Sequence, residues 1–147
     1  MEYTSVFDIM GPIMVGPSSS HTAGALGISR YAYEKFCGIP KKVKISLYNS
    51  FAKTYKGHGT DVALIGGLLG FEADDLRIPV ALEKAKEMKL DYEIIAEKEK
   101  VDHPNTVKLL LTDDQKILEV IGISIGGGCF KILSATWQPE KIGEQNV

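Results

Sequence analysis

Cysteine is scarce in this sequence. Among its 147 residues only Cys37 and Cys129 are cysteines; they lie far apart in apolar surroundings, with no CxxC pair. A [4Fe–4S] cluster is ordinarily held by about four cysteine thiolates, so two cannot build one alone. The plain reading of both is a small apolar side chain. Long apolar runs are missing too, and none approaches the roughly 20 residues that span a bilayer. The opening residues carry Glu2 and Asp8 and lack the basic start and apolar stretch of a secretory signal, so a cytoplasmic location is expected. Charge of one sign is also lacking. A net charge of -2 gives no electrostatic footprint for nucleic acid or an anionic membrane. The lysines between Lys41 and Lys44 alternate with apolar residues further on, as on a solvated strand face.

What is present suits a soluble domain with one core. Apolar residues make up 44% and charged residues 24%, which is ordinary for a globular chain of this length. No internal repeat, low-complexity stretch or linker divides it, so residues 1–147 are expected to form a single domain.

Two periodicities run along the chain. Val43, Ile45 and Leu47 alternate with polar neighbours, as do Tyr92, Ile94 and Ala96, and Val107, Leu109 and Leu111, which predicts half-buried strands. From Ile117 to Ile125 almost every residue is apolar, which predicts a strand buried on both faces. Thr112-Asp113-Asp114-Gln115 reads as the hairpin turn before it. Gly126-Gly127-Gly128 could turn the chain into a fifth strand around Phe130 to Leu133.

Ala25, Ile28, Ala32 and Phe36 form the stripe of a helix that starts after Ser20 and is ended by Gly38 and Pro40. A second helix fits Thr60 or Asp61 through Leu69, with Val62, Ile65 and Leu69 on one face. Its Gly66 and Gly67, each costing roughly 1 kcal/mol against alanine, suggest close packing on another backbone. A third has Pro79 in its first turn and Ala81, Leu82, Ala85 and Met88 facing inward. Together these predict an α+β fold: a two-layer sandwich of a mixed β-sheet covered by helices on one face.

The most unusual segment is Gly11-Pro12-Ile13-Met14-Val15-Gly16-Pro17-Ser18-Ser19-Ser20-His21-Thr22. A helix start offers unsatisfied N–H groups and a partial positive charge. Serine hydroxyls beside them can hold a carboxylate or phosphate. One serine would be only an N-cap; Ser18, Ser19 and Ser20 followed by His21 and Thr22 favour an anion site. There the helix dipole disfavours a charged His21, and a neutral imidazole could exchange a proton or donate a hydrogen bond. A packed, hydrogen-bonded histidine is the bland alternative.

In Thr54-Tyr55-Lys56-Gly57-His58-Gly59-Thr60-Asp61, glycines on both sides of His58 let a ligand come close. Asp61 could orient that imidazole, or Thr60 or Asp61 could cap the second helix. Nothing in the spacing of His21, His58 and His103 ties them to one metal site, so no metal is assigned to this chain. His103-Pro104-Asn105 is a turn signal with room for a functional contact.

Four stretches, SVFDIMGPIMVGPSSSHTAGA, FAKTYKGHGTDVALIGGLLGF, HPNTV and GISIGGG, resemble the β chain of iron–sulfur-dependent L-serine dehydratase (L-serine ammonia-lyase). They stand in family order from Ser5 to Gly128. The resemblance implies a [4Fe–4S] enzyme that converts L-serine to pyruvate and ammonia, with the cluster's cysteines on a partner α chain. It further implies that Ser18, Ser19, Ser20 and Thr22 bind substrate and that His58, His21 and Asp61 are the catalytic candidates. Family members resemble, in this region, the allosteric substrate-binding domain of some 3-phosphoglycerate dehydrogenases. That supports the two-layer reading and supplies the rival function, a non-catalytic module that binds a small anion. An ACT-type regulatory domain, usual in two-subunit β chains, is not expected here, and a homodimer of the isolated domain is a further possibility.

Overall fold

The computed structural model describes residues 19–54, 59–126 and 128–138. Five strands form one mixed sheet: β1 (Lys42–Tyr48), β2 (Asp91–Ala96), β3 (Asn105–Thr112), β4 (Ile117–Gly126) and β5 (Cys129–Gln138), in the order β2-β1-β3-β4-β5. β1 and β2 pair in parallel and all other neighbours antiparallel. A parallel pair needs a crossover connection, and this one carries α2 (Asn49–Thr54), α3 (Thr60–Leu68), a 3-10 turn (Ile78–Val80) and α4 (Ala81–Glu87). Helix α1 (Ser19–Phe36) precedes the sheet and packs on β3, β4 and β5.

The two-layer α+β prediction holds, because strand alternation leaves one apolar face. Val43, Ile45 and Leu47 of β1 are fully buried, as are Val107, Leu109 and Leu111 of β3 and Leu118 and Val120 of β4. The register sets Leu109 beside Ile45 and Val120, and Leu111 beside Val43 and Leu118. Onto this face α1 lays its predicted stripe, with Ala25, Ile28, Ala32 and Phe36 all buried. Burying a side chain of this size contributes roughly 1.5–3 kcal/mol, so the stripe and the strand face form the main body of the core.

Several details differ from expectation. β4 is not buried on both faces: Glu119 and Ile121 are half-covered and Ile125 is 60% exposed, because the helices lie on one side only. Gly38 is not the left-handed residue that ends α1. Cys37 adopts that conformation (φ 68°), donating its N–H to the Tyr33 carbonyl at 3.0 Å, and Gly38 follows at φ 141°. Helix α3 is buried almost all round rather than on a stripe, with Ala63, Leu64, Ile65, Gly66, Gly67 and Leu68 covered. Met88 points outward, since α4 ends at Glu87. The short α2 had no periodic signal, being less than two turns long. Among the described residues no helix is long and apolar enough to cross a membrane.

Candidate functional site

The direction of each element follows from a few contacts. Helix α1 runs antiparallel to β4. Its Gly24 packs against the Ser124 side chain and the Cys129 carbonyl, its Ile28 against Gly122, and its last carbonyl, of Phe36, accepts a 2.6 Å hydrogen bond from Lys116 Nζ at the start of β4. The start of α1 therefore lies over the end of β4 and the turn into β5.

Helix α3 lies alongside α1 and points the same way. A methyl group at Gly67 would meet the Ser29 hydroxyl, the Leu26 carbonyl (2.8 Å) and the Arg30 nitrogen (2.9 Å), and three residues further on Gly70 accepts from Arg30 Nε at 3.4 Å and packs on Tyr33. The expected close packing is thus realised at Gly67. At Gly66 the nearest atoms are 3.6 Å away, an ordinary contact. Two parallel helices have their N-termini at the same end, so their positive dipole ends stand side by side.

That end is also where β1 finishes and β3 begins, since Tyr48 pairs with Thr106 and Thr106 with Ile123. The starts of α1 and α3, the His103-Pro104-Asn105 turn, the end of β4 and the start of β5 are therefore gathered at one end of the sheet. Gly126 (φ 97°) and Gly128 (φ 84°) turn the chain there.

The individual candidates are placed to different degrees. Ser18 and His58 lie outside the described residues, and for Ser19, Ser20 and His21 only the backbone is described, in the first turn of α1. Thr22 is buried on the same helix. Asp61 is half-buried in the first turn of α3, and its Oδ1 accepts from the Val62 N–H at 2.8 Å. It serves the helix start as a capping residue would, although the N-cap position itself is Gly59 and offers no side chain. The His103 carbonyl accepts from Asn49 Nδ2 (2.7 Å) and Thr106 Oγ1 (2.8 Å), and the residue is exposed.

Asn49 is a residue that sequence reasoning missed. Its backbone is left-handed (φ 53°), and its amide binds the Val101 carbonyl (2.8 Å), the His103 carbonyl and the Val101 N–H (3.4 Å). It pins the loop before β3 to the start of α2. The signal available was an Asn directly after a strand, a residue type that tolerates this conformation. An open groove of about 590 Å³ lies beside it, lined among others by Ser50, Lys53, Glu97, Lys100 and Asp102. Two buried side-chain atoms at this end, Thr60 Oγ1 and Asn105 Oδ1, have no hydrogen-bond partner. Each such atom costs about 1–3 kcal/mol of desolvation.

The described parts of the segments singled out for chemistry lie at this end: the first turn of α1, Gly59 to Asp61 at the start of α3, the His103–Asn105 turn and the end of β4. The family model described as serine dehydratase beta chain matches residues 5–134. The chain belongs to that family. As a serine dehydratase beta-chain relative it is 53% identical over 132 residues to the probable L-serine dehydratase, beta chain, of Bacillus subtilis (strain 168), covering 90% of this chain and 60% of that protein. It is 50% identical over 133 residues to the L-serine dehydratase, beta chain, of Peptoniphilus asaccharolyticus, covering 88% of this chain and again 60% of the relative. A shorter match, 39% over 87 residues, joins it to the L-serine dehydratase TdcG of Escherichia coli (strain K12), of which it covers 19%. This family member thus spans about 60% of the length of the two beta chains.

Proposed function

We propose that this chain is the β component of a [4Fe–4S] L-serine dehydratase that converts L-serine to pyruvate and ammonia together with a cluster-bearing α chain. What supports the reading is the match to the serine dehydratase beta-chain family over residues 5–134, together with the gathering of the described parts of these segments at one sheet end, where two helix N-termini stand side by side. Such an end favours an anion, and the carboxylate of serine is one. Ser18, Ser19, Ser20 and Thr22 would bind substrate at the start of α1, while His58, His21 and Asp61 would be the candidates for moving the α-proton.

This chain's own residues do not fit a cluster. Cys37 follows the last turn of α1 while Cys129 sits beside Gly24, near its first. Thirteen helical residues at about 1.5 Å each separate those levels by roughly 20 Å, far beyond the reach of one cluster. No group of three or more His, Cys, Asp or Glu is gathered for a metal among the described residues. On this reading the cluster would be held by the α chain.

Anaerobic co-expression with the α chain, followed by a serine deamination assay, tests the reading. Pyruvate should form with both chains present and not with this chain alone. Anaerobic reconstitution with iron and sulfide should leave the isolated chain without stoichiometric cluster absorbance. A colourless chain that binds a small anion autonomously, and an α mixture that leaves serine untouched, would favour the regulatory-module alternative.

A further inference from the structure

Thr60 is the first residue of α3 and is wholly buried, yet its hydroxyl oxygen has no hydrogen-bond partner. The residue before it is Gly59, held at φ 74°, so the helix start has no side-chain cap. Glycine suits that left-handed backbone, and Asp61 already accepts from the Val62 N–H, but threonine at position 60 is not what folding alone would select: a valine there would fill the same space without a stranded hydroxyl. Replacing an unsatisfied buried polar group by an apolar one of the same shape is neutral or stabilising. Local rules broken in this way are characteristic of functional positions.

The chemistry of the group that completes the site follows from its surroundings. The helix start is electropositive, and a second electropositive start, of α1, lies on the same side. Against these a threonine hydroxyl acts as a donor, and the matching acceptor is an anionic oxygen. We infer that Thr60 is a ligand-binding residue whose hydroxyl donates to a carboxylate oxygen seated at the start of α3, the carboxylate being that of an α-amino or α-hydroxy acid. The inference rests on the dehydratase reading for the identity of that acid as serine, and names the residue that holds its carboxylate. Thr60 is wholly covered in the chain by itself. A hydrogen bond closed off from water in this manner is strengthened by the low local dielectric.

The test compares Thr60→Val and Thr60→Ser with wild type, as the full chain alone and assembled with the α chain. Thr60→Val should melt at or above the wild-type temperature. In the assembled enzyme it should raise KM for L-serine about 10- to 100-fold, the scale of one lost hydrogen bond to a charged group, with a smaller change in kcat. Thr60→Ser, which returns the hydroxyl, should recover most of the loss. An unchanged KM in Thr60→Val overturns the inference, whatever its melting temperature. If the wild-type assembly makes no pyruvate, the dehydratase reading fails, and Thr60 is then judged with acetate as the probe. Acetate that raises the melting temperature of wild type and not of Thr60→Val supports the assignment; equal protection of both, or protection of neither, overturns it.

Discussion

The two ends of the sheet treat their polar side chains in opposite ways. At the β3–β4 hairpin, Asp113 Oδ1 accepts from the N–H groups of Gln115 (2.8 Å) and Lys116 (2.9 Å), and Lys41 pairs with Asp114 at 2.6 Å. Lys116 reaches the last carbonyl of α1 and stands over the rings of Phe36 (4.5 Å) and Trp137 (5.7 Å). Every one of these groups is used to hold the fold. The opposite end also uses Asn49 and Asp61 to hold the fold, but it leaves Thr60 Oγ1 and Asn105 Oδ1 buried without hydrogen-bond partners, beside a helix start whose N-cap, Gly59, offers no side chain. The contrast teaches that, among the described residues, the unsatisfied buried polar atoms gather at one end of the sheet, the usual division between scaffold and site.

The largest effect expected from breaking this contrast is functional. His58→Ala should reduce turnover of the assembled enzyme by roughly 100-fold or more, the scale of a lost acid–base group. The same change should cost the fold under about 1 kcal/mol if its surroundings are those of an exposed glycine-flanked loop. Paired melting and deamination measurements check both halves, and wild-type turnover with normal melting would refute the catalytic assignment. Asp61→Asn should do less to turnover if Asp61 orients an imidazole, and should lower the melting temperature through its lost acceptance from the Val62 N–H.

Gly67→Ala should erase the contrast rather than sharpen it. The added methyl would press on the backbone of Leu26 and Arg30, which cannot rotate away, so α1 and α3 must separate. A destabilisation of about 1–3 kcal/mol or more is expected, together with loss of activity, because both helix starts move. Denaturant unfolding gives the first and the deamination assay the second. At the hairpin end Asp113→Ala should cost about 1 kcal/mol, with two turn N–H groups left to water, and should leave KM for serine unchanged.

The smallest effect is a pH dependence. Burial pushes the Asp113 carboxyl up, but the N–H groups of Gln115 and Lys116 and the nearby lysine charges outweigh it and hold the group below its usual value. The hydrogen bonds from Arg77 to Asp75 act in the same direction there. A carboxyl depressed in the folded state adds stability that is present above its unfolded value, about 3.9, and is lost as pH falls through the lower folded value. Melting temperature should therefore decline gently from about pH 4 downward. Asp113→Asn should flatten part of that decline, and an unaltered slope would count against the hairpin contribution.

Much of this architecture was legible in the residues themselves. Strand alternation around Val43 and Val107 and the Ala25–Phe36 stripe follow directly from burial on one face, and Thr112 to Gln115 turned where its aspartates allowed. What could not be read was set by three-dimensional neighbours. The left-handed conformation falls on Cys37, where the N–H groups of Cys37 and Gly38 both close on the Tyr33 carbonyl. Ile125 looks like core in one dimension and is exposed because it lies on the sheet face that no described helix covers. At the site, the serine cluster and the glycines around His58 announced themselves by composition. Asn49 and Thr60 did not, since an αL asparagine and an unpartnered hydroxyl are properties of packing rather than of pattern.

Trp137 is the one tryptophan in the chain, and it stacks on Phe36 at 6.1 Å, with Lys116 near the ring. Its indole is thus an intrinsic fluorophore fixed at the foot of α1, an 18-residue helix whose other end lies roughly 27 Å away at the convergence of the motifs. Emission should shift when the fold opens, and should stay constant when a ligand settles at the distant end without deforming the helix. Any substrate-induced change in that emission would accordingly report strain carried along α1 as a rigid rod.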